Sequence, residues 1–314
     1  MPGRILVIRG GAIGDFILTL PAIRLLRENF PDCHIEILGY RHIASLAERR
    51  YYADATRSIE YAPLATFFNP KGELDPGLCA YFAGFNQVIS YIYDPDELFQ
   101  TCLRRAGVKN LIAGSPQVGD GEHAATQLAS PLDKLALWLE DPAARFYPSE
   151  EDLTAANDIL VGLPGPYVAI HPGSGGEKKN WPLDRWVTVI EELLSGRHSG
   201  QVLIVGGEAD TERLSSLHRF RSNPRCTFLQ SLPLPVLGAV LSQCRLFLGH
   251  DSGISHLAAA AGARCLLLFG PTDPDVWAPA NDGVEVLWAQ DGQLSELEVE
   301  AVLGKLDEIL PNAR

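Results

Sequence analysis

A lone carboxylate, Asp15, lies between a glycine loop and an apolar helix-like run in the stretch RGGAIGDFILTLPA. Gly11 and Gly14 allow the backbone to turn sharply after the preceding strand-like run. The positive end of the helix dipole favours the ionised form of Asp15, which can accept a proton from a substrate hydroxyl. Pro21 lacks an N–H group and should kink the helix, which would aim Asp15 into a ligand cleft. Asp15 is therefore a candidate general base, and capping of the helix is its alternative role.

The loop HPGSGGEKKNWP, residues 171–182, follows another strand-like run. The strand ends at His171, and the loop then carries Gly173, Ser174, two further glycines and two lysines. Glycine-rich backbone exposes N–H groups, and these groups together with the ammonium group of Lys179 make an anion-binding site. The alternative is a surface loop with solvated lysines. Because the glycines come directly after a strand, the pattern favours the anion site.

A third candidate loop is GHDSGISHLAAAAGA, residues 249–263. Asp251 and Ser252 fit the start of a helix of small residues. The N–H groups of a helix N-terminus bind phosphate, and Gly253 allows a pyrophosphate to approach closely. His256 lies one turn further on, on the face that holds Ser252. The alternative role of His256 is structural, as a histidine packed in the core.

Two anion-binding loops in the second half of the chain and one carboxylate in the first half indicate a diphosphate donor facing a base. The glycines after the first strand do not form the G-x-G-x-x-G dinucleotide fingerprint, and Tyr40 and Arg41 stand where a ribose-binding acid would follow the second strand. An NAD oxidoreductase is therefore disfavoured. The three loops carry no DxD-like cluster, so we expect neither a metal nor another cofactor.

The elements that must position these loops alternate between strand and helix. Runs such as RILVIR and HIEILG are short and β-branched, as in strands buried on both faces. This alternation predicts an α/β fold with two Rossmann-like domains, whose parallel sheets face a cleft. The charged, proline-containing segment 140–152 predicts a linker, which gives domains 1–145 and 146–314. Segments 61–84 and 110–130 show no clear pattern.

Composition narrows the class of protein. The 314 residues are 46% hydrophobic and carry a net charge of −13. A nucleic-acid partner would require a basic excess and is not expected. The six cysteines form no CxxC pair and have no zinc spacing, so we expect reduced thiols. Without a signal-like segment or an apolar run near ~18 residues, we expect a cytoplasmic protein.

The motifs resemble glycosyltransferase family 9, the ADP-heptose:lipopolysaccharide heptosyltransferases. The family's Gly-Asp followed by Pro-Ala is matched at 14–15 and 21–22. Its His-Pro-Gly loop ending in Trp-Pro is matched at 171–182, and its Asp-Ser-Gly-x-x-His-Leu-Ala-Ala at 251–259. Phe-Gly-Pro-Thr-Asp-Pro is present at 269–274. Asn180 replaces the family's arginine, and LQSLPLP at 229–235 lacks the expected Gly-Lys/Arg near the nucleobase.

The resemblance implies a GT-B architecture, with the acceptor on the N-terminal domain and a nucleotide-sugar on the C-terminal domain. It implies inverting, metal-independent transfer of a heptose from an ADP-heptose-like donor to an acceptor hydroxyl, in the synthesis of lipopolysaccharide or a related glycan. Asp15 would be the base, and Lys179 would stabilise the leaving diphosphate. Asp251 would hold sugar hydroxyls, and Glu208 would hold the ribose. The residues assigned to the donor are His171, Gly173, Ser174, Lys179, Glu208, Asp251, Ser252, Gly253 and His256.

Two other functions remain open: a sugar-nucleotide epimerase of GT-B type and a catalytically silent sugar-nucleotide-binding protein. An epimerase usually needs more acid and base groups than the one clear base seen here, and a silent protein has no need of Asp15. The expected partners are the donor and a glycan or lipid-linked acceptor. A monomer, with peripheral contact to the cytoplasmic face of the inner membrane, fits the resemblance. Because the predicted N-terminal domain has no basic excess, we expect an acceptor with little phosphate.

Overall fold

The computed structural model describes residues 2–195 and 200–310, and the chain divides into two compact units. The units are Met1–Ala143 and Ala144–Arg314. The sequence predicts this boundary between residues 145 and 146. Each unit contains one parallel β-sheet with helices between its strands. The predicted α/β class is therefore confirmed.

Unit 1 has a five-stranded parallel sheet. Its strands are β1 Arg4–Arg9, β2 His34–Gly39, β3 Ala55–Ser58, β4 Gln87–Ser90 and β5 Leu111–Ala113. They lie in the order β3-β2-β1-β4-β5. The chain adds strands on one side of β1 and then returns to its other side, so the switch point of the sheet lies between β1 and β4. Ligands of such sheets bind beyond the carboxyl ends of the strands at this point.

The helices of unit 1 are α1 Ile13–Asn29, α2 Arg41–Ala44, α3 Pro76–Ala83, α4 Leu98–Arg105 and α5 Ala124–Ala129. Helix α1 continues through Pro21, whose ring is buried, so the helix does not end there. The unassigned segments 61–84 and 110–130 contain a 3₁₀ helix at Ala62–Phe68, together with α3, β5 and α5.

The sequence HIASLAERR, residues 42–50, predicts a second helix along its whole length, and this prediction is wrong: only Arg41–Ala44 is α-helical. Arg49 has a φ of 52° and donates its backbone N–H to the carbonyl of Ala53 at 2.8 Å. This left-handed residue turns the chain back toward β3, which a continuing helix could not do.

Unit 2 has a six-stranded parallel sheet in the order β11-β10-β9-β6-β7-β8. The strands are β6 Tyr167–Ile170, β7 Gln201–Gly206, β8 Cys226–Gln230, β9 Cys244–His250, β10 Cys265–Phe269 and β11 Val284–Trp288. The switch point of this sheet lies between β6 and β9. The candidate loops at 171–182 and 249–263 follow these two strands, so the topology brings them together.

The helices of unit 2 are α6 Glu150–Leu160, α7 Leu183–Leu194, α8 Thr211–Ser216, α9 Leu234–Leu241, α10 Gly253–Ala260, α11 Pro274–Trp277 and α12 Val299–Ile309. In α7, Trp186, Val189, Ile190 and Leu193 lie on one face and pack into the core. This spacing is the helical period expected of a helix that covers a sheet. Among the described residues, no helix is long and apolar enough to cross a membrane.

Candidate active site

Asp15 lies in the first turn of α1, just beyond the carboxyl end of β1. Its Oδ2 accepts a hydrogen bond from the backbone N–H of Ala12 at 2.9 Å. Its Oδ1 lies 4.0 Å from Nη2 of Arg9, and the side chain is 35% exposed. One carboxylate oxygen therefore caps the helix start, while the group as a whole stays accessible to a substrate. Capping and base chemistry are compatible in this geometry.

Arg9, the last residue of β1, is buried beneath this turn. Its Nε donates to Thr19 Oγ1 at 3.0 Å, and its Nη2 donates to the backbone carbonyl of Asp15 at 3.2 Å. Burial lowers the pKa of Arg9, and the charge of Asp15 opposes that shift. Arg9 thus fixes the first turn of α1 and places a positive charge beside the carboxylate. The available sequence signal for Arg9 was a charged residue directly after the apolar run at 5–8.

The two glycines predicted for this turn, Gly11 and Gly14, differ in how strictly the structure requires glycine. Gly11 has a φ of 93°, and an added Cβ would lie 2.8 Å from Oδ2 of Asp15. A side chain at this position would therefore be strained and would displace the carboxylate. Gly14 lies within the first turn of α1, where the backbone is helical.

In unit 2, His171 connects loops that follow three different strands. It is buried at the end of β6, with Nε2 3.2 Å from Asp210 Oδ2 and Nδ1 3.4 Å from Ser252 Oγ. Burial would raise the pKa of Asp210, but hydrogen bonds from His171 and from the N–H of Gly207 lower it below its usual range. An ionised Asp210 only accepts, so Nε2 of His171 carries a proton and donates it to Asp210.

Asp210 also explains the need for glycine at position 173. A Cβ added to Gly173 would lie 1.8 Å from Asp210 Oδ1, well inside contact distance. No sequence pattern pointed to Asp210, which stands two residues after the predicted Glu208. Its importance comes from a contact with His171 that is 39 residues distant in the chain.

Gly173→Ala is expected to destabilise the protein by about 1–3 kcal/mol, as forced overpacking does. The methyl group would push Asp210 away from His171. Urea unfolding measures the change. Gly175→Ala is the matched control, because a Cβ there meets no atom within 4 Å and should change stability by less than about 0.5 kcal/mol. Equal stabilities of the two variants would contradict the packing argument.

Lys179 ends a short 3₁₀ helix at Glu177–Lys179 and contacts Asp251. Its Nζ donates to Asp251 Oδ2 at 2.5 Å, and Thr272 Oγ1 donates to the same oxygen at 2.7 Å. The Lys179 side chain is 34% exposed, whereas that of Asp251 is 9% exposed. Lysine and aspartate, assigned separately to phosphate and to sugar hydroxyls, are therefore direct partners. Thr272 belongs to the Phe-Gly-Pro-Thr-Asp-Pro motif and was not predicted as a site residue.

The loop at 171–182 is anchored along its length. Arg213 donates through Nε to the carbonyl of Pro172 at 2.9 Å and through Nη2 to that of Trp181 at 2.8 Å, so it joins both ends of the loop. Ser174 Oγ donates to the carbonyl of Asp251 at 2.9 Å. This segment is therefore not a loosely held surface loop, although the side chain of Lys178 is exposed.

His250, the last residue of β9, holds the same loop from beneath. It is fully buried, and burial lowers its pKa to about 3, so the ring is neutral. Its Nε2 accepts from the backbone N–H of Trp181 at 2.9 Å and from Nε1 of Trp186 at 3.2 Å. The proton must then lie on Nδ1, which donates to the carbonyl of Gly173 at 3.3 Å. His250 is therefore a positioning residue, for which the sequence predicts no role.

Ser252 is the N-cap of α10, and its Oγ accepts from the N–H of Ser255 at 3.3 Å. Gly253 is the first helical residue, so the N-terminus of α10 lies beside the Lys179–Asp251 pair. His256 is buried one turn into this helix. Glu208 is exposed and begins a 3₁₀ helix after β7, next to β6 in the sheet. Positive charge and helix N–H groups thus converge at the switch point of unit 2.

The described residues contain no group of three or more His, Cys, Asp or Glu side chains arranged to hold a metal ion. Lys179 supplies positive charge beside the N-terminus of α10. Lys179 and the N–H groups of α10 can therefore bind an anion, and the carboxylate of Asp15 can accept a proton.

Comparison with known proteins identifies a matching family and several relatives. Residues 102–306 match the family described as glycosyltransferase family 9 (heptosyltransferase). The chain is 25% identical over 334 residues to lipopolysaccharide heptosyltransferase 3 of Escherichia coli K12, with 95% of each chain covered. It is 24% identical over 302 residues to lipopolysaccharide heptosyltransferase 1 of Pseudomonas aeruginosa, with 86% of this chain and 79% of that one covered.

Solved structures share the fold. A glycosyl transferase family 9 protein from Veillonella parvula gives a TM-score of 0.79 at 20% identity and covers 98% of this chain and 97% of its own. ADP-heptose lps heptosyltransferase II of E. coli gives 0.78 at 18% identity, with 98% of each chain covered. These likenesses confirm the predicted GT-B fold class.

The family match spans more than half of the chain and includes the loops that hold Lys179, Glu208 and Asp251. The match to lipopolysaccharide heptosyltransferase 3 of Escherichia coli K12 covers 95% of the chain. The chain therefore belongs to glycosyltransferase family 9 (heptosyltransferase) and is a glycosyltransferase.

Proposed function

We propose that this enzyme transfers a heptose from an ADP-heptose-like donor to an acceptor hydroxyl, with inversion and without a metal, in the synthesis of lipopolysaccharide or a related glycan. The observation that carries the proposal is the Lys179–Asp251–Thr272 cluster beside the N-terminus of α10. Relatives named lipopolysaccharide heptosyltransferases support the product class. An E. coli heptosyltransferase of the same fold was solved with ADP and with a fluorinated ADP-heptose, which supports the donor class.

In this proposal the donor binds unit 2. The diphosphate lies at the first turn of α10, where Ser252 and Gly253 offer backbone N–H groups, and Lys179 turns from Asp251 toward the phosphate oxygens. Asp251 then accepts hydrogen bonds from sugar hydroxyls. Glu208, exposed beyond β7, binds the ribose hydroxyls. His171, Gly173, Ser174 and His256 shape the walls of this site.

The acceptor binds unit 1, and Asp15 takes the proton from its hydroxyl group. The acceptor oxygen forms a bond to the anomeric carbon of the heptose while the bond from that carbon to the diphosphate oxygen breaks. The attack comes from the face opposite to the leaving group, so the anomeric configuration inverts. ADP leaves with the bonding electron pair, stabilised by Lys179 and by the N–H groups of α10. Asp15 then releases its proton to water.

The test is incubation of the purified protein with ADP-heptose, with and without a lipopolysaccharide core acceptor. A glycosyltransferase forms ADP and a heptosylated product only when the acceptor is present. A changed sugar in the absence of acceptor would identify an epimerase. Tight donor binding without any turnover, under all acceptor conditions, would identify a silent binding protein.

Transfer activity is expected to persist in excess EDTA, because Lys179 and the N-terminus of α10 supply the positive charge for the leaving diphosphate. The measurement is the rate of ADP release after chelation and desalting. Loss of transfer that Mg²⁺ or Mn²⁺ restores would show that a metal carries this charge instead.

A further inference from the structure

Three exposed tyrosines follow three strands of unit 1. Tyr40 comes directly after β2, Tyr61 follows β3, and Tyr93 follows β4. Their exposed fractions are 37%, 52% and 61%. Contact between large aromatic side chains and water is unfavourable, and clusters of such exposed side chains mark ligand-binding surfaces.

The register of the sheet places these tyrosines along one edge. Arg9 pairs with Gly39, Gly39 pairs with Ser58, and Ile8 pairs with Ser90, so the strands end level with one another. Neighbouring strands lie about 4.8 Å apart, and β3 is three strand spacings from β4. The three strand ends therefore span about 14 Å, which is the scale of a short oligosaccharide.

The same edge holds Asp15. Tyr40 lies against the turn that carries Asp15, because a Cβ added to Gly10 would lie 3.9 Å from Tyr40 Cε2. Strand β4, which precedes Tyr93, lies on the other side of β1 from β2. Asp15 follows β1, and β1 lies between β2, which leads to Tyr40, and β4, which leads to Tyr93. This is the switch point of the sheet, where ligands of such folds bind.

The charges beside the tyrosines are mixed. The residues directly adjacent to them in the chain include one cation, Arg41, and two anions, Glu60 and Asp94. A site for a phosphorylated ligand would require several cations together. Tyrosine instead offers a rigid apolar ring face and a hydroxyl that forms hydrogen bonds. The apolar C–H face of a pyranose ring matches that ring face, and its hydroxyl groups match the phenol.

From this placement we infer that Tyr40, Tyr61 and Tyr93 form an acceptor edge, which stacks on pyranose rings of a phosphate-free oligosaccharide and presents a hydroxyl to Asp15. The inference rests on the proposed function and names its acceptor class. In this site the rings set acceptor affinity and orientation, while Asp15 performs the proton transfer.

The test uses the core oligosaccharide of lipopolysaccharide, freed of lipid, in phosphorylated and dephosphorylated forms. Binding of each form is measured without donor, and kcat and KM are measured with ADP-heptose. Tyr93→Ala, Tyr61→Ala and Tyr40→Ala are each expected to raise Kd and KM for the dephosphorylated form about 5- to 50-fold. ADP affinity should not change. Tyr93→Phe, which keeps the ring, should retain most of the affinity.

Tyr51→Ala is the matched control. Tyr51 is also 37% exposed, but it precedes β3 and so lies toward the amino ends of the strands. Its removal should leave Kd and KM unchanged. Thermal unfolding of each variant shows that the fold is retained.

Each possible result either supports or overturns the acceptor edge. Normal oligosaccharide affinity in the three alanine variants, with active wild-type enzyme, would overturn the acceptor edge and leave the proposed function standing. So would binding of the phosphorylated form at least ~10-fold more tightly than the dephosphorylated form, or binding of neither form. Tyrosine-dependent binding without any transfer from ADP-heptose would support the edge and count against the proposed donor.

Discussion

Asp15→Asn is expected to slow transfer by about 10²- to 10⁴-fold, the usual cost of losing a general base. The amide oxygen of asparagine can still accept the hydrogen bond that Ala12 donates to the carboxylate. The start of α1 should therefore stay folded, but the side chain can no longer accept the proton of the acceptor hydroxyl. Single-turnover rates and ADP affinity, measured on the same preparation, separate these effects. ADP affinity should be unchanged.

Asp75→Asn provides the control for this variant. Asp75 caps α3 in the same unit, where its Oδ1 accepts the backbone N–H of Leu78 at 2.8 Å. This substitution makes the same chemical change at another helix start and should leave transfer at the wild-type rate. Wild-type turnover in a folded Asp15→Asn protein would show that Asp15 only caps its helix.

Lys179→Ala is expected to lower kcat by about 10²- to 10³-fold, as loss of one stabilising donor at a developing negative charge does. It should also weaken ADP binding, because the ammonium group pairs with the diphosphate in both states. Steady-state kinetics and calorimetry with ADP measure the two effects. Lys178→Ala is the matched control, since that side chain is exposed and lies outside the Asp251 contact. A larger effect at Lys178 would contradict the assignment.

The ion pair with Asp251 adds a second effect that must be separated. Without Lys179, Asp251 keeps the hydrogen bond from Thr272 but loses its counter-charge, and its carboxylate would repel a diphosphate. The double variant Lys179→Ala/Asp251→Asn removes that repulsion. We expect it to remain slow, because the positive charge is still missing. Recovery of the rate in the double variant would show that Lys179 acts only by neutralising Asp251.

The strands that sequence patterns predicted are mostly the buried ones. β1, β2, β7 and β10 are almost fully buried, and their predominantly apolar sequences match that environment. By contrast, β3, β5 and β11, for which no strand is predicted from the sequence, are edge strands with partly exposed side chains. An edge strand is covered less completely, so its sequence need not be apolar and carries a weaker signal.

The sequence by itself determined the α/β class and indicated the candidate loops for binding and catalysis. Turn glycines, helix caps and a lysine in a glycine-rich loop depend on neighbours a few residues away, so Asp15, Lys179 and Ser252 could be proposed as site residues from local sequence. Selecting these residues required one further rule, that ligands bind beyond the carboxyl ends of parallel strands.

Only the tertiary structure decided which of these residues meet and what holds them. Lys179 and Asp251 are 72 residues apart in the chain, and His171 and Asp210 are 39 residues apart. His250 and Arg213 hold the loop at 171–182 through contacts with its backbone, which place no constraint on nearby sequence. Hydrogen bonds and ion pairs depend on distances of about 3 Å between atoms, and packing of the sheet, not chain order, fixes those distances.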